Sequence, residues 1–174
     1  MPLQRFRSIL QTLVDHRVDF IVIGGVSAVL NGAPLNTLDV DVVHSTSVEN
    51  VERLLSALRD LDAYYRIQPE RRIRPDASHL SSGGHHLLLT KFGPADFLGS
   101  VSKQRVYVDL LPFSTELILD PTLAIRVLNL EMLIVLKEES TQDKDRAVLP
   151  VLRRTLEEIQ RRERQTKSDA TGEK

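Results

Sequence analysis

Apolar residues recur along this chain at two different spacings, and their alternation predicts a domain that mixes helices and strands. A spacing of three and four residues, typical of an amphipathic helix, runs through residues 3–14 and again through residues 48–61. Between these helices, residues 19–25 form an apolar run that ends in glycines, and residues 37–43 alternate between apolar and polar side chains. Both of these segments predict strands.

A short helix is expected between the two strands. Its apolar residues begin at Val26, and Gly32 followed by Pro34 is the usual combination that ends a helix. Residues 66–84, in contrast, show neither spacing and predict a loop of about 20 residues. Loops of that length are uncommon in compact domains and are often functional.

The C-terminal half predicts two pairs of strands followed by two helices. Gly93 and Pro94 break the first pair, and Asp120 with Pro121 is the expected turn of a hairpin in the second. Asn129 is a suitable cap for the first of the two helices. The predicted strands cover residues 85–93, 95–101, 115–120 and 124–130, and the predicted helices cover residues 129–139 and 143–164.

No internal repeat and no linker divides the chain, so the pattern predicts a single domain of the α/β or α+β class. We place this domain at residues 1–160. Residues 161–174 are polar and are expected to form a disordered tail.

Composition and charge exclude several classes of function. The chain has 174 residues, of which 41% are hydrophobic and 27% charged, and this is enough for the core of one ordinary domain. The formal charge of -1 and the pI near 6.5 exclude a global positive field that would attract nucleic acid. Cysteine is absent, which excludes disulfides and thiolate zinc sites. No apolar run reaches the roughly 18 residues of a membrane span, and we expect a cytoplasmic protein with no membrane partner.

The candidate chemistry centres on two aspartates within the valine-rich strand. Asp39 and Asp41 are two residues apart, so they project from the same face of a strand. Carboxylates held that close repel each other and favour protonation unless a cation neutralises them. Magnesium suits such a pair, since it prefers a few carboxylates together with phosphate oxygens and water. The alternative is a strand with one solvated face, on which two aspartates have no ligand.

Gly24 and Gly25 favour the metal-binding alternative. They end one strand and open a helix, where the absence of Cβ atoms lets backbone amides and the positive end of the helix approach an anion such as a phosphate. The two acids follow in the next strand. The amides that bind phosphate and the acids that bind its metal are therefore expected to lie side by side.

The glycine pair followed by LDVDVV resembles the nucleotidyltransferase superfamily with the DNA polymerase β type of palm, in particular its small prokaryotic minimal and AbiEii-like members. The resemblance extends from Phe20 to about Arg154 and includes GPADFLG and LEMLIVLKEESTQDKD. It implies a small mixed β-sheet flanked by helices. It also implies a two-metal active site that transfers a nucleotidyl group from a nucleoside triphosphate to a hydroxyl acceptor.

The resemblance assigns roles to particular residues. Gly24 and Gly25 match the turn that binds phosphate, and Asp39 and Asp41 match two acids that hold both metals, Mg²⁺ or Mn²⁺. For the third acid the match is Asp96 in GPADFLG. It is expected to follow a strand at a turn, where an acid can reach a metal. The competitor is Asp109 in VYVDLL, a segment that can equally form a helical turn.

The remaining matches concern phosphate binding. Many members carry a serine directly after the first glycine, whereas this chain keeps Ser27 three residues after its first glycine. Lys137, Lys144 and Asp145 resemble the K...KD element that closes AbiEii-like sites against nucleotide phosphates.

Two classes of function follow from the resemblance. The first is an enzyme whose acceptor is a tRNA end, a protein or a small molecule such as an aminoglycoside, in a toxin-antitoxin setting with a small helical protein partner. The second is a catalytically weak or inactive nucleotide-binding or regulatory module, such as an antitoxin-like protein. Gln142 and Val148 favour the module, since AbiEii-like proteins often have an arginine and an acid at these positions.

Two further groups of residues, arginines and histidines, are candidates for ligand binding. The arginines of the predicted loop can bind a triphosphate or an RNA backbone, or they can be solvated; they are Arg66, Arg71, Arg72 and Arg74. A three-histidine metal site at His79, His85 and His86 is not expected, because adjacent histidines on a strand face opposite ways. The chain contains neither a GxSxG nucleophile elbow nor a GxGxxG dinucleotide fingerprint.

Overall fold

The computed structural model describes the backbone of residues 2–171 and the side chains of residues 4–168. Within these residues the strands are β1 (Phe20–Ile23), β2 (Val40–His44), β3 (Tyr64–Tyr65), β4 (His85–Thr90), β5 (Gly93–Leu98), β6 (Ser114–Asp120) and β7 (Leu123–Leu128). They form one mixed sheet in the order β3-β4-β5-β2-β1-β7-β6. β2 runs antiparallel to β1 and parallel to β5, and this pairing positions the acids.

Helices cover both faces of the sheet. They are α1 (Pro2–Asp15), α2 (Gly24–Leu30), α3 (Val48–Asp60), α4 (Ala77–Ser81), α5 (Tyr107–Leu110), α6 (Leu130–Glu139) and α7 (Asp143–Thr171). Asn129 caps α6 as the sequence predicts, because its Oδ1 accepts a hydrogen bond of 2.9 Å from the Met132 N–H.

The alternation of side chains along each strand divides the core into two layers. On one face, Val40, Val42 and Phe97 are buried against α1 and α3. On the other face, Ile21 and Val43 are buried against α6 and α7. The mixed sheet with helices on both sides agrees with the predicted fold class.

The predicted loop contains more structure than its sequence pattern indicates. Residues 66–84 include a short 3₁₀ turn (Pro69–Arg71) and helix α4, in which Leu80 is fully buried. Asp76 caps α4 by accepting a hydrogen bond of 2.9 Å from the His79 N–H. The helix was missed because a single buried leucine gives no periodic signal.

The C-terminal tail also differs from its prediction. The sequence predicted disorder over residues 161–174, whereas α7 continues to Thr171; residues 172–174 lie outside the described part of the chain. No glycine or proline interrupts α7 between Pro150 and its end, so nothing in the sequence stops the helix there. None of the helices in the described residues is long and apolar enough to cross a membrane.

Candidate active site

Three aspartates converge on the face of the sheet that carries α6 and α7. Asp39 directly precedes β2, Asp41 lies within β2, and Asp96 lies opposite Asp41 in the parallel register of β5. One carboxylate oxygen from each aspartate lies within 4.8 Å of the corresponding oxygens of the other two. Because adjacent strands are about 4.8 Å apart, residues opposite each other in the register must project side by side.

Of the two candidates for the third acid, Asp96 lies with Asp39 and Asp41 and Asp109 does not. Asp109 lies in α5, where its Oδ2 accepts a hydrogen bond of 2.9 Å from the Val106 N–H, and it does not belong to the cluster. The expectation that Asp96 follows a strand at a turn is wrong. Asp96 lies in the middle of β5 and reaches the other acids through the strand register rather than from a turn.

Burial and mutual repulsion raise the pKa values of two of these acids. The pKa of Asp41 rises to about 7, chiefly because burial disfavours the charged form and also because Asp39 and Asp96 are negative. The charges of Lys137 and Lys144 act in the opposite sense. Burial likewise raises the pKa of Asp96. A divalent cation between the carboxylates would remove both penalties.

One oxygen of Asp96 is buried without a partner. The residue is 8% exposed, and its Oδ2 accepts a hydrogen bond of 3.0 Å from Nη2 of Arg66. Its Oδ1 is buried and has no hydrogen-bond partner among the described residues. An unsatisfied buried acceptor is destabilising, by about 1–3 kcal/mol or more for a charged group. This oxygen and the adjacent carboxylates are suited to hold a hard cation such as Mg²⁺.

The two glycines allow a close approach by side chains of the protein itself. Gly24 has φ of +61°, and a Cβ on it would lie 2.0 Å from Oδ2 of Asp41. A Cβ on Gly25 would lie 2.5 Å from Oγ1 of Thr37. Thr37 in turn donates a hydrogen bond of 3.1 Å to the carbonyl of Asp39. Gly24 therefore makes room for Asp41, and Gly25 makes room for Thr37, which bonds to the backbone of Asp39. Phosphate binding by the glycine amides remains a prediction.

Ser27 does not face this site. It is fully buried, and its hydroxyl donates a hydrogen bond of 2.8 Å to the carbonyl of Leu128. Each helical residue turns the side chain by about 100°, so a serine two positions after Gly25 points away from the direction of that glycine. Ser27 connects α2 to the end of β7, and the predicted contact with phosphate does not fit this position.

The predicted lysines lie beside the acids. Lys137 forms an ion pair with Asp145, which also accepts a hydrogen bond of 2.6 Å from the Ser140 hydroxyl. Burial alone would raise the pKa of Asp145, but these two partners hold it below its usual value. Lys137, Lys144 and Asp145 line two cavities, one of which contains Asp39 and the other Asp41 and Asp96.

These two cavities differ in chemistry. The smaller has a volume of about 360 Å³ and contains Gly24, Gly25 and Asp39 together with apolar residues such as Leu133. The larger has a volume of about 670 Å³ and is more polar; it contains Asp41, Asp96, Arg66, His85 and Glu139. A third, apolar cavity of about 360 Å³ lies between α1 and α2, and none of its lining residues is acidic.

Among the arginines of residues 66–74, Arg66 is the one that contacts an acid of the cluster. Arg72 and Arg74 each form a salt bridge of 2.5 Å with Asp62, and Arg71 donates a hydrogen bond of 3.0 Å to the Gln68 side chain. From the sequence, these arginines as a group can either bind a triphosphate or RNA or be solvated. Nothing in the sequence indicates that Arg66 pairs with Asp96, since the two residues are 30 positions apart.

The histidines face opposite ways, as expected. Nε2 of His85 lies 3.0 Å from the Ser100 carbonyl, and the ring lines the larger cavity. His86 is buried on the other face, where Nδ1 lies 2.9 Å from the Tyr65 hydroxyl.

The comparisons with known proteins point to a fold. No protein-family model matches the chain, and no curated protein matches it. A structure from Thermotoga maritima, provisionally assigned as a nucleotidyltransferase, is similar over 99% of this chain and 93% of that one, with 16% identity and a TM-score of 0.50. The lincosamide antibiotic adenylyltransferase LnuA, with lincomycin bound, is similar over 86% of this chain and 95% of its own, with 11% identity and a TM-score of 0.57. The chain therefore has the fold of the nucleotidyltransferases.

Proposed function

We propose that this protein transfers a nucleotidyl group from a nucleoside triphosphate to a hydroxyl acceptor, with divalent cations held by Asp39, Asp41 and Asp96. The observation that carries the proposal is the Oδ1 of Asp96, which has no hydrogen-bond partner in the part of the chain that the structure describes and is buried beside two further carboxylates. Such an arrangement is destabilising in a protein that binds no cation. The fold supports the same conclusion, because structures that share it include an adenylyltransferase.

The donor fits the smaller cavity. Gly24 and Gly25 provide backbone amides at the start of α2, and Lys137 and Lys144 provide positive charge from the opposite wall. Apolar side chains of α6 and α7, including Leu133 and Leu152, offer a surface for the base. The α-phosphate would then lie next to the three acids.

The acceptor fits the larger cavity, which contains Asp41 and Asp96. In the reaction, the acceptor oxygen bonds to the α-phosphorus and its proton leaves to solvent. The bond between the α-phosphorus and the oxygen bridging to the β-phosphate breaks, and pyrophosphate leaves. Two magnesium ions, or manganese in their place, would supply the Lewis acidity that activates the hydroxyl and neutralises the phosphates. In this proposal the donor lies in the cavity that contains Asp39 and the acceptor in the cavity that contains Asp41 and Asp96.

The identity of the acceptor is a finer proposal. LnuA is an adenylyltransferase of lincosamide antibiotics, and this supports a small molecule over a tRNA end or a protein. The volume of about 670 Å³ agrees, since small-molecule sites typically measure about 300–1,000 Å³. The AbiEii-like subtype and a toxin-antitoxin role rest on the resemblance of Lys137, Lys144 and Asp145 to the K...KD element.

A nucleotide-binding module without turnover is the second candidate. The ion pair between Lys137 and Asp145 favours it, because a lysine neutralised in this way is less available to a triphosphate. The buried position of Ser27 favours it as well.

Incubation with Mg²⁺ and each α-labelled nucleoside triphosphate, in cell extract and in its small-molecule fraction, tests the proposal. We expect label to pass to an acceptor, and the transfer to disappear in Asp39→Asn and Asp41→Asn. Asp109→Asn is the matched control and is expected to transfer at the wild-type rate. Tight nucleotide binding with no transfer in any fraction would instead establish the binding module.

A further inference from the structure

We propose that Arg66 is a positioning residue, which holds Oδ2 of Asp96 so that Oδ1 is presented to the cation. The inference rests on the proposed function and assigns a role within the same site. It differs from both alternatives that the sequence left open for Arg66, namely a ligand for phosphate or RNA and a solvated side chain.

The strand register places Arg66 in line with the acids. The Arg66 N–H donates a hydrogen bond of 3.0 Å to the Leu87 carbonyl, which extends the pairing of β3 with β4 by one residue. Leu87 lies opposite Asp96, and Asp96 lies opposite Asp41. Arg66, Leu87, Asp96 and Asp41 thus form one row across four strands, on one face of the sheet. From the edge of this row the long arginine side chain crosses over Leu87 and reaches Asp96.

The salt bridge with Arg66 engages only one of the two carboxylate oxygens of Asp96. Nη2 of Arg66 lies 3.0 Å from Oδ2 of Asp96, and the exposed fractions of the two side chains are 33% and 11%. Oδ1 stays unpartnered among the described residues. A carboxylate fixed through one oxygen cannot rotate freely about χ2, so the other oxygen keeps its direction. Asp96 is therefore prepared to bind a cation through one oxygen before the cation arrives.

The positive charge of Arg66 and its role in orienting Asp96 predict opposite changes in metal affinity when Arg66 is removed. A guanidinium next to a metal ligand repels a dication, so its removal should strengthen metal binding if Coulomb repulsion dominates. If orientation of Asp96 dominates, its removal should weaken metal binding, as the loss of partners of metal ligands does by about 10–100-fold. The sign of the change in affinity decides between the two.

Mn²⁺ binding to the intact protein, measured by calorimetry and by the paramagnetic resonance signal of free Mn²⁺, is the test. We expect Arg66→Gln to weaken Mn²⁺ binding at the acids by about 10-fold, and Arg66→Lys to recover part of the loss because it restores one donor. Arg71→Gln removes a positive charge from the same segment, outside both cavities, and is the matched control; it is expected to bind like the wild type. Thermal unfolding of each variant checks that the fold is retained.

A double-mutant cycle isolates the pair. Once Asp96→Asn has removed the charged ligand, Arg66→Gln should change Mn²⁺ affinity no further. Equal or tighter Mn²⁺ binding by Arg66→Gln in the otherwise wild-type chain, or an equal loss in both backgrounds, would overturn the inference.

The experiment also separates this inference from the proposed function. Mn²⁺ binding that is lost in Asp41→Asn and weakened in Arg66→Gln, without nucleotidyl transfer under any condition, would refute the reaction and leave the role of Arg66 intact. Transfer that persists in Arg66→Gln with unchanged Mn²⁺ affinity would refute the role of Arg66 alone. A wild-type protein that binds no Mn²⁺ at these acids would overturn both.

Discussion

The two faces of the sheet carry two groups of buried titratable residues with opposite surroundings. On one face, Asp41 and Asp96 adjoin two cavities and several positive side chains. On the other face, His44 and His86 lie 6.5 Å apart between ring centroids and are sealed in the core. Burial raises the pKa values of the acids and lowers those of the histidines. It thus favours the neutral form on both faces, but only the acids lie where a ligand can reach them.

The difference shows how a site and a core can be distinguished within one sheet. Nδ1 of His44 donates to the Ser45 carbonyl at 3.1 Å, and Nε2 is buried without a partner in the described part of the chain. The neutral imidazole leaves no charge unbalanced. In the acid cluster, oxygens of three carboxylates lie within 4.8 Å of one another and repel each other when charged. Close carboxylates whose charges are not fully compensated distinguish the face on which we propose the active site.

The largest expected effect is that of Asp41→Asn on the face of the sheet that carries Asp39, Asp41 and Asp96, which we call the acid face. We expect nucleotidyl transfer to fall by about a thousand-fold or more, as with the loss of a major electrostatic group in an active site. The metal-free protein should nevertheless become more stable. The pKa of Asp41 in the fold, about 7, exceeds its ordinary value of 3.8, so ionisation destabilises the wild type as the pH rises through that window. At 1.36 kcal/mol per pKa unit, the upper bound of the gain is about 4 kcal/mol, and solvent at the half-buried carboxylate reduces it.

Urea unfolding at pH 8, with and without Mg²⁺, measures the unfolding free energies of the wild type and of Asp41→Asn. Mg²⁺ should stabilise the wild type and leave Asp41→Asn unchanged. A variant that is less stable than the metal-free wild type at pH 8 would contradict the account of the acid face.

The second prediction concerns the opposite face of the sheet, which carries His44 and His86 and which we call the histidine face. Its contribution to stability changes with pH in the opposite direction. The pKa of His44 falls from 6.5 to about 4, chiefly by burial. Between these values His44 binds a proton in the unfolded chain but not in the folded protein, so stability is lost as the pH falls from 6.5 to about 4. The loss amounts to at most about 3 kcal/mol. Over this whole range the protonation of Asp41 in the fold stabilises the protein, because its window from 3.8 to about 7 includes that of His44, so the two slopes oppose each other in the wild type.

Single variants separate these slopes. Metal-free Asp41→Asn should lose stability more steeply between pH 6.5 and pH 5 than the wild type does, whereas His44→Gln should lose less than the wild type. Unfolding free energies at half-unit pH steps give both slopes. Parallel curves for the three proteins would show that neither face titrates as described.

The third prediction concerns Gly24, whose missing Cβ leaves the space that the Asp41 side chain occupies. Gly24→Ala forces a φ of +61° on alanine and places its Cβ 2.0 Å from Oδ2 of Asp41. We expect a loss of about 1–2 kcal/mol from the backbone alone, together with displacement of Asp41 and weaker Mn²⁺ binding. Gly32→Ala is the control, because it shares a positive φ but has open space around its Cβ. Equal Mn²⁺ affinities in the two variants would show that the contact with Asp41 has no role in the site.

The sequence predicted the acid face better than its supports. The alternation of residues 39–43 placed Asp39 and Asp41 together, because strand periodicity is a local property. The pairing of β2 with β5 is not local, so the position of Asp96 was reached for an incorrect reason. Arg66 and Thr37 were not identified as supports of the acids, because their contacts depend on strand register and on the space left by a missing Cβ. Ser27 was linked to phosphate through the family resemblance, which does not reveal the direction in which a helical residue points.

The smallest expected effect is that of Thr37, which lies beside the acid face without belonging to it. Its hydroxyl donates to the Asp39 carbonyl at 3.1 Å, and its side chain occupies the space beside Gly25. Thr37→Val keeps the shape and removes the hydrogen bond, so we expect a loss of about 0.5–1.5 kcal/mol in unfolding free energy and a smaller drop in Mn²⁺ affinity than in Arg66→Gln. Thr37→Ser keeps the hydroxyl and should restore that affinity. If Thr37→Val instead weakened Mn²⁺ binding as strongly as Asp39→Asn, the backbone of residue 39 rather than its carboxylate would control the site. The acid face would then depend on the segment that precedes β2 more than on the strands.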